Sequence, residues 1–262
     1  MLSSELVDKI VAISHAAGDK IMEIYQRDFS VYEKSDESPL TEDDISAHHC
    51  IVDGLKAVSD LPILSEESAN IPWSERSTWQ EYWLVDPLDG TKEFIKKNGE
   101  FTVNIALIKN GQAVFGVVYA PVLAQTYVGV VGQGAYKLTN GARKDITVKA
   151  HSGNEKWLIV GSRSHQSPEI QQFLEALGGE SELVAMGSSL KLCLVAEGAA
   201  HLYPRLGPTS EWDTGAAQAV VEAAGGTVTV VNAVATARSK DAQALRYNQK
   251  ESVLNPYFLV SY

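Results

Sequence analysis

The chain has 262 residues, of which 45% are hydrophobic and 21% are charged, so it can bury a core in one large domain or two smaller ones. Its formal net charge of −11 argues against a nucleic-acid-binding protein, which needs basic faces. A small anionic substrate is not excluded, because bound cations can reverse the local sign of charge. The two cysteines, Cys50 and Cys193, lie among apolar residues and are interpreted as reduced, buried thiols.

The first part of the chain predicts an α+β unit. Ser3 or Ser4 can cap a helix that runs to Tyr25, and Thr41 with Asp44 resembles a capping box at the start of a second helix. Beyond residue 100, short apolar segments separated by turn residues predict an antiparallel meander. The predicted strands of this meander are 101–109, 113–119, 125–131, 135–138 and 146–148.

The stretch from Trp83 to Thr91 places two carboxylates beside a buried segment. The apolar residues before Asp86 predict a strand, and Pro87 is expected to end it because proline cannot donate to a sheet. Asp89 follows, and Gly90 allows a tight turn. Oxygen ligands of this kind suit Mg²⁺. Asp-Pro and Asp-Gly pairs are also ordinary turn sequences, so these residues alone leave a simple loop open.

Two further acidic positions belong to the same argument. Glu66 and Glu67 follow a short apolar run, and Asp213 begins a segment rich in small residues. Aspartate at such a place is often only a helix N-cap. Together with Glu66, Asp86 and Asp89, we interpret Asp213 as a metal ligand.

The second part of the chain alternates strands and helices, which predicts an α/β unit. The predicted strands are 157–160, 183–186, 200–203, 227–231 and 253–260, and the helices are 168–177, 190–197 and 213–224. We therefore expect an α+β domain at 1–150, an α/β domain at 151–262 and an active site in the cleft between them.

Three separated motifs resemble those of the inositol monophosphatase superfamily. They are Glu66-Glu67, then Asp86-Pro87-Leu88-Asp89-Gly90-Thr91, then Trp212-Asp213, in this order. The strings YWLVDPLDGTKEFIKKNGEFTVNIALI, GSSLKLCLVAEG and LYPRLGPT are most similar to the bacterial nucleotidases of that superfamily that act on 3′(2′),5′-bisphosphates. The resemblance implies a layered αβαβα sandwich, two or three Mg²⁺ ions and inhibition by Li⁺.

The resemblance also assigns roles by position. It implies one metal site from Glu66, Asp86 and the Leu88 carbonyl, and a second from Asp86, Asp89 and Asp213, with Glu66 also near a third ion. Asp44 and Thr91 would position or deprotonate the attacking water, with Glu66 as a further catalytic group. Leu88, Asp89, Gly90, Thr91 and Asp213 would contact the substrate.

Recognition of a second phosphate falls to other residues. His165, Ser188, Lys191 and Arg205 match the positions that contact a nucleoside bisphosphate in the nucleotidases, although each can also be an ordinary solvated residue. An arginine at 205 is unusual for an inositol phosphatase, in which an acidic residue would hold a sugar hydroxyl. No serine or cysteine has a recognisable triad setting, so direct attack by water is the expected mechanism.

The leading hypothesis is hydrolysis of adenosine 3′,5′-bisphosphate to AMP and phosphate, with the 2′,5′ isomer and 3′-phosphoadenylyl sulfate as further substrates. An inositol-1-phosphatase or sugar bisphosphatase is the first alternative, and a non-catalytic cation-binding regulatory module is the second. We expect a cytoplasmic monomer or homodimer without nucleic-acid partners. There is no signal segment and no apolar run of the roughly 20 residues that span a bilayer. The resemblance allows loose attachment to the inner membrane face, for which the residues offer no support.

Overall fold

The computed structural model describes residues 2–26, 31–33, 39–161, 168–231 and 242–262, including side chains except those of 31–33 and 39–44. Its helices are α1 (Ser4–Tyr25), α2 (Glu42–Val58), α3 (Trp73–Arg76), α4 (Thr91–Ile95), α5 (Pro168–Leu177), α6 (Leu190–Ala196) and α7 (Glu211–Ala223). Its strands are β1 (Val31–Glu33), β2 (Pro39–Thr41), β3 (Ile63–Ser65), β4 (Glu81–Asp89), β5 (Thr102–Lys109), β6 (Gln112–Ala120), β7 (Gln125–Val130), β8 (Gly134–Thr139), β9 (Ala142–Ile146), β10 (Trp157–Gly161), β11 (Ser181–Ala185), β12 (Leu202–Arg205), β13 (Thr227–Val230) and β14 (Phe258–Ser261). No helix in these ranges is long and apolar enough to cross a bilayer.

The first sheet has seven strands in the order β3-β4-β5-β6-β7-β8-β9. Its β3 and β4 are parallel, and the remaining neighbours are antiparallel. Successive residues of a strand point to opposite faces, and both faces of this sheet are buried. Trp83 and Val85 pack against α1 and α2, whereas Tyr82 and Leu84 pack on the opposite side against α7.

Helix α1 begins as expected, because the Ser3 side chain accepts a hydrogen bond from the backbone N–H of Leu6 at 3.2 Å. Its buried face carries Val7, Ile10, Ala17 and Ile21. Apolar residues at this spacing form one stripe on a helix. Helices α1 and α2 contact each other and together cover one face of the first sheet.

Helix α7 packs on the other face of the first sheet so closely that the helix backbone contacts two strands directly. A Cβ atom at Gly116 on β6 would meet the backbone of Ala216, and one at Gly129 on β7 would meet the backbone of Val220. Glycine is therefore required at both positions, because any side chain would push the helix off the sheet. Helix α7 also contacts β13, so it lies between the two sheets.

The second sheet has five strands in the order β11-β10-β12-β14-β13. Helix α6 contacts β10, β12 and β14, and the α5 residue Phe173 packs with Ile159 and Leu202 in a separate apolar cluster. The layers are therefore α1 with α2, the first sheet, α6 with α7, the second sheet and α5. This arrangement confirms the predicted α/β class and the αβαβα sandwich.

Several predicted boundaries differ from the structure. The strand predicted at 200–203 is Leu202–Arg205, and the helix predicted at 213–224 is Glu211–Ala223. Strand β4 does not end at Pro87 but continues through a bulge to Asp89. The last strand of the meander is 142–146 rather than 146–148, because it pairs with β8 through the tight Asn140-Gly141 turn. The closing strand spans only Phe258–Ser261. Along the chain, the strands of the first sheet end before residues 147–156 and those of the second sheet begin after them. The predicted boundary between 1–150 and 151–262 falls within this segment.

Candidate active site

The parallel pair β3 and β4 brings the first two acidic residues to one edge of the sheet. Ser65 pairs with Val85 in this ladder, so the next residues, Glu66 just after β3 and Asp86 within β4, occupy neighbouring positions at this edge. Glu66 begins a short 3₁₀ helix, and Asp86 is 1% exposed. The sheet itself therefore sets the spacing of these carboxylates.

A bulge in β4 explains why Pro87 does not end the strand. Asp86 pairs with Asn104 and Asp89 pairs with Thr102, so β4 has one more residue than β5 between these pairs. A proline in a bulge does not need to donate to the ladder, and the prediction that it stops the strand is wrong. The backbone N–H of Leu88 donates instead to Asp86 Oδ1 at 3.1 Å.

The turn after the bulge depends on glycine. Gly90 has φ 94° and ψ 41°, a left-handed conformation that favours glycine. A Cβ atom there would lie 3.2 Å from the Glu100 carbonyl oxygen and 3.3 Å from Ser188 Cβ. Thr91 then begins α4, and its hydroxyl donates to the Leu88 carbonyl at 3.4 Å.

Asp213 comes to this region from the first turn of α7. Ser210 is the N-cap, and Asp213 is the third helical residue of a capping box, in which the Ser210 N–H donates to Asp213 Oδ2 at 2.9 Å. The alternative that Asp213 is itself the N-cap is therefore wrong. Burial, followed by the neighbouring Asp89 carboxylate, raises the pKa of Asp213 to about 8, and Glu66 acts in the same direction.

Asp89 has a similar electrostatic environment. Burial raises its pKa, whereas the Lys191 ammonium and the Ser189 backbone N–H lower that pKa without restoring the ordinary value. The Ser189 N–H donates to Asp89 Oδ2 at 2.5 Å. Asp89 and Asp213 are thus partly buried carboxylates that repel each other.

The donor chemistry fits a hard divalent cation, because positive charge between carboxylate oxygens would offset this repulsion. The side chains do not form a closed ligand shell, however. Within the described ranges, no three His, Cys, Asp or Glu side chains form a group that could hold a metal ion. One oxygen each of Asp86, Asp89 and Asp213 accepts a hydrogen bond from a backbone N–H.

A cavity of about 530 Å³ lies next to these carboxylates. Its lining combines several predicted site residues from both parts of the chain. These are Asp89, Gly90, Ser188, Lys191, Arg205 and Asp213. Glu66, Asp86, Leu88 and Thr91 lie nearby but do not line it. The Asp44 side chain and His165 fall outside the described residues, so their predicted roles stay predictions.

Two of the cationic residues that line the cavity, Arg205 and Lys191, lie close to specific neighbouring groups. Arg205 Nη2 donates to the Pro208 carbonyl at 2.6 Å, and its buried Nε has no hydrogen-bond partner in the described chain. The Lys191 ammonium lies 5.9 Å from the centre of the Tyr203 ring. Lys191 lowers the pKa of Asp89 and Arg205 lowers that of Asp213, so each cation lies near one carboxylate.

Sequence reasoning did not identify Ser189, Thr102 and Asn104, which the structure places around Asp89. The Ser189 hydroxyl donates to Asn104 Oδ1 at 2.9 Å and lies 2.8 Å from Thr102 Oγ1. The available signal was a polar residue, Asn104, within an apolar strand. Because buried polar groups need partners, this residue indicated a contact from another part of the chain.

Comparison with known protein families decides the assignment. The model of the inositol monophosphatase family matches residues 3–254. The chain belongs to the inositol monophosphatase family. The predicted membership of this superfamily is thereby confirmed.

Relatives within this family are nucleotidases by name. The chain is 48% identical to the 3′(2′),5′-bisphosphate nucleotidase CysQ of Escherichia coli K12 over 259 residues, which cover 98% of this chain and 99% of the relative. It is 33% identical to CysQ of Haemophilus influenzae, over 99% of this chain and 93% of that protein.

Solved structures of family members agree with the fold. CysQ from Bacteroides thetaiotaomicron, described as a bacterial member of the inositol monophosphatase family, is 40% identical with a TM-score of 0.83, and the match covers 98% of this chain and 97% of that one. The suppressor protein suhB from Bartonella henselae is 24% identical with a TM-score of 0.77, over 98% and 94% of the two chains. The second likeness supports the fold alone.

Proposed function

We propose that this protein is a Mg²⁺-dependent phosphatase that removes the 3′-phosphate of adenosine 3′,5′-bisphosphate, producing AMP and phosphate. The observation that carries the proposal is that one cavity is lined both by the acidic residues Asp89 and Asp213 and by the basic residues Lys191 and Arg205. A bisphosphate needs both kinds of residue, because one phosphate must react and the other must be held. The names of the CysQ relatives support the same substrate class.

The proposed metal site lies at the acidic side of the cavity, where Asp89 and Asp213 line it and Glu66, Asp86 and Leu88 lie nearby. Glu66, Asp86 and the Leu88 carbonyl would hold one cation, and Asp86, Asp89 and Asp213 a second, with Glu66 near a third. Bound cations would neutralise phosphate charge and favour deprotonation of water. Once deprotonated, the carboxylates would supply the negative charge that retains the cations, and the low dielectric constant around them would strengthen this attraction.

The residues after the bulge are proposed to handle the reacting phosphate. The rigid Gly90 turn brings backbone close to the substrate without an intervening side chain. Thr91, whose hydroxyl is oriented by the Leu88 carbonyl, would position the attacking water together with Asp44. The role of Asp44 rests on the family resemblance. Water attacks in line with the leaving oxygen, and no phosphoenzyme forms.

The basic side of the cavity is the proposed site for the second phosphate. Lys191 and Arg205 offer charged donors, and Ser188 contributes to the same lining. His165 is proposed for this side from the resemblance. The 2′,5′ isomer and 3′-phosphoadenylyl sulfate carry comparable groups and are proposed as further substrates. The role implied is removal of the nucleotide by-product of sulfate activation.

Inositol phosphatase activity is the main competing proposal. Four solved inositol monophosphatases that match this chain are 20–24% identical to it and support the fold alone. Arg205 and Lys191 place positive charge where an uncharged sugar hydroxyl would have to bind. These two residues favour a substrate with a second anionic group.

Phosphate release tests the proposal. The protein with Mg²⁺ is given adenosine 3′,5′-bisphosphate, inositol 1-phosphate or fructose 1,6-bisphosphate, each with and without Li⁺ or EDTA. We expect preference for the nucleotide and loss of activity with either addition. Preference for inositol 1-phosphate would overturn the substrate assignment but retain the metal site. Absence of release from all three would instead support a non-catalytic cation-binding module.

A further inference from the structure

The hydroxyl of Ser189 does not cap the helix that Ser189 precedes. Ser189 immediately precedes α6, where a serine side chain ordinarily accepts a hydrogen bond from the first turn of the helix. Here the hydroxyl makes no capping bond and instead reaches Asn104 and Thr102 on β5. A residue at a helix N-cap position in the second part of the chain is therefore hydrogen-bonded to the first sheet.

We name Ser189, Thr102 and Asn104 the serine bridge. All three residues are at most 2% exposed, so their hydrogen bonds form away from bulk water. Thr102 and Asn104 are also the β5 partners of Asp89 and Asp86 at the two ends of the bulge. The bridge thus touches the ladder at the two positions where the proposed metal ligands Asp86 and Asp89 pair with β5.

Ser189 also contacts a proposed ligand directly, since its backbone N–H donates to Asp89 Oδ2 at 2.5 Å. The buried Asn104 Nδ2 makes no well-oriented hydrogen bond in the described chain, but it lies close enough to Asp89 to favour the charged carboxylate. The orientation of Asp89 consequently depends on a residue just before α6 and not only on its own strand.

The turn that carries Ser189 has little freedom to move. The Gly187 N–H donates to Glu100 Oε2 at 2.8 Å, and a Cβ atom at Gly187 would lie 2.8 Å from the Glu100 carbonyl oxygen. Ser188 has φ 46°, which is unusual for a residue with a side chain. Lys191 follows two residues after Ser189 on α6, so a shift of this turn would move Asp89 and Lys191 together.

We propose that Ser189 is a positioning residue, and that the serine bridge couples binding of a divalent cation at Asp89 to binding of a phosphate at Lys191. This inference rests on the proposed function, because it assumes those two ligands. Coupling between two sites is reciprocal, so a nucleotide that engages Lys191 strengthens cation binding by the same factor that the cation strengthens nucleotide binding.

Calorimetric titration of Mg²⁺ into the purified full chain tests the coupling without turnover. Each titration is done with and without AMP, which keeps a 5′-phosphate but has no 3′-phosphate to hydrolyse. The variants are Ser189→Ala and Thr102→Val, which each remove one hydroxyl of the bridge. Ser261→Ala is the matched control, because Ser261 is a buried serine whose hydroxyl lies 3.0 Å from Thr227 Oγ1, at the end of β14 away from Phe258 and the cavity.

We expect Ser189→Ala to bind Mg²⁺ about five- to tenfold more weakly, as for loss of one buried hydrogen bond, and to show a smaller effect of AMP. Thr102→Val should shift both quantities in the same direction, which keeps the inference testable if Ser189→Ala does not fold. Unchanged Mg²⁺ affinity and an unchanged AMP effect in the bridge variants would overturn the inference alone, as would an equal loss in Ser261→Ala. Absence of Mg²⁺ binding by the wild type would overturn the proposed function as well.

Discussion

The backbone N–H of Asn248 donates to both carboxylate oxygens of Glu211, at 2.9 and 3.0 Å. The Asn248 side chain continues the contact, accepting from Arg76 Nη1 at 2.8 Å and donating to the Arg76 carbonyl at 2.5 Å. Arg76 lies on α3, between Glu66 and Asp86 in the chain, and Glu211 lies two residues before Asp213. This network therefore joins the segments that carry the proposed ligands.

Arg76→Met should lower the free energy of unfolding by about 3 kcal/mol, because it removes the charged partner from a buried network. The Arg76 guanidinium also donates to the carbonyl oxygens of Lys250 and Glu251, which would lose this partner. Urea-induced unfolding measures the change. Arg143→Met is the control, since exposed Arg143 makes only solvent-accessible contacts with Asp145 and the Tyr136 ring and should cost about 1 kcal/mol. Similar values for the two variants would contradict the structural role of Arg76.

Asp89→Asn should separate activity from folding. Asparagine keeps an oxygen for the Ser189 N–H but removes one of two partly buried carboxylates that repel each other. We expect phosphate release to fall about 100- to 1,000-fold, the size found for removing one group that stabilises a transition state. Stability in EDTA at pH 7 should be equal or higher. Exposed Asp145→Asn is the control for both measurements, and retained activity in Asp89→Asn would show that the metal assignment is wrong.

Lys191→Met should reduce activity only toward substrates with a second phosphate. We expect kcat/KM for adenosine 3′,5′-bisphosphate to fall about 10- to 100-fold, as for loss of a hydrogen bond to a charged group. Adenosine 3′-monophosphate, which has no 5′-phosphate, should be hydrolysed at the wild-type rate. Lys144→Met on β9 changes an exposed lysine away from the cavity and serves as the control. An equal loss with both nucleotides would mean that Lys191 acts through Asp89 and not on the phosphate.

His201 should make stability depend on pH. Burial lowers its pKa below the usual 6.5, opposed by the nearby Glu155 carboxylate and reinforced by His151 and Lys149. Its Nδ1 accepts from the Leu158 N–H at 3.0 Å, which requires the neutral ring. The unfolded chain therefore takes up a proton first as pH falls. The stabilisation is complete above about pH 6.5 and is lost below it, at no more than about 1.4 kcal/mol per pH unit.

Urea unfolding between pH 5 and 7.5 measures this dependence. His201→Asn offers an oxygen acceptor to Leu158 without titrating, so its stability should fall less steeply with acidification than that of the wild type. Burial also lowers the pKa of His15 and His48, so part of the slope will remain. An identical slope in the variant would exclude a contribution from His201.

Local sequence signals were sufficient for features that depend only on residues close together in the chain. The Ser3 cap, the α1 stripe and the Asn-Gly turns were predictable because they depend on neighbours within a few residues. Pro87 misled the prediction because a bulge is set by the pairing of β4 with β5, which the strand sequence alone does not reveal. Asp213 was predicted as a ligand, but its capping-box geometry depends on where Ser210 starts the helix.

The contacts of the serine bridge could not be predicted, because they join residues 85 to 87 positions apart. The family motifs indicated which carboxylates to examine, but not what holds them. Asn104 was visible as a polar residue in an apolar strand, whereas its partner Ser189 resembled an ordinary helix cap. Tertiary packing determines that the Ser189 hydroxyl bonds to Asn104 and does not cap α6.

The position of α7 has a consequence for dividing the chain. Its backbone rests on Gly116 and Gly129, and the largest apolar cluster contains residues of both sheets. A fragment that ends at residue 150 would leave an apolar face of its seven-stranded sheet exposed to water. Such a fragment should aggregate when expressed alone, whereas its co-expression with the remaining residues should yield a reassembled, soluble complex.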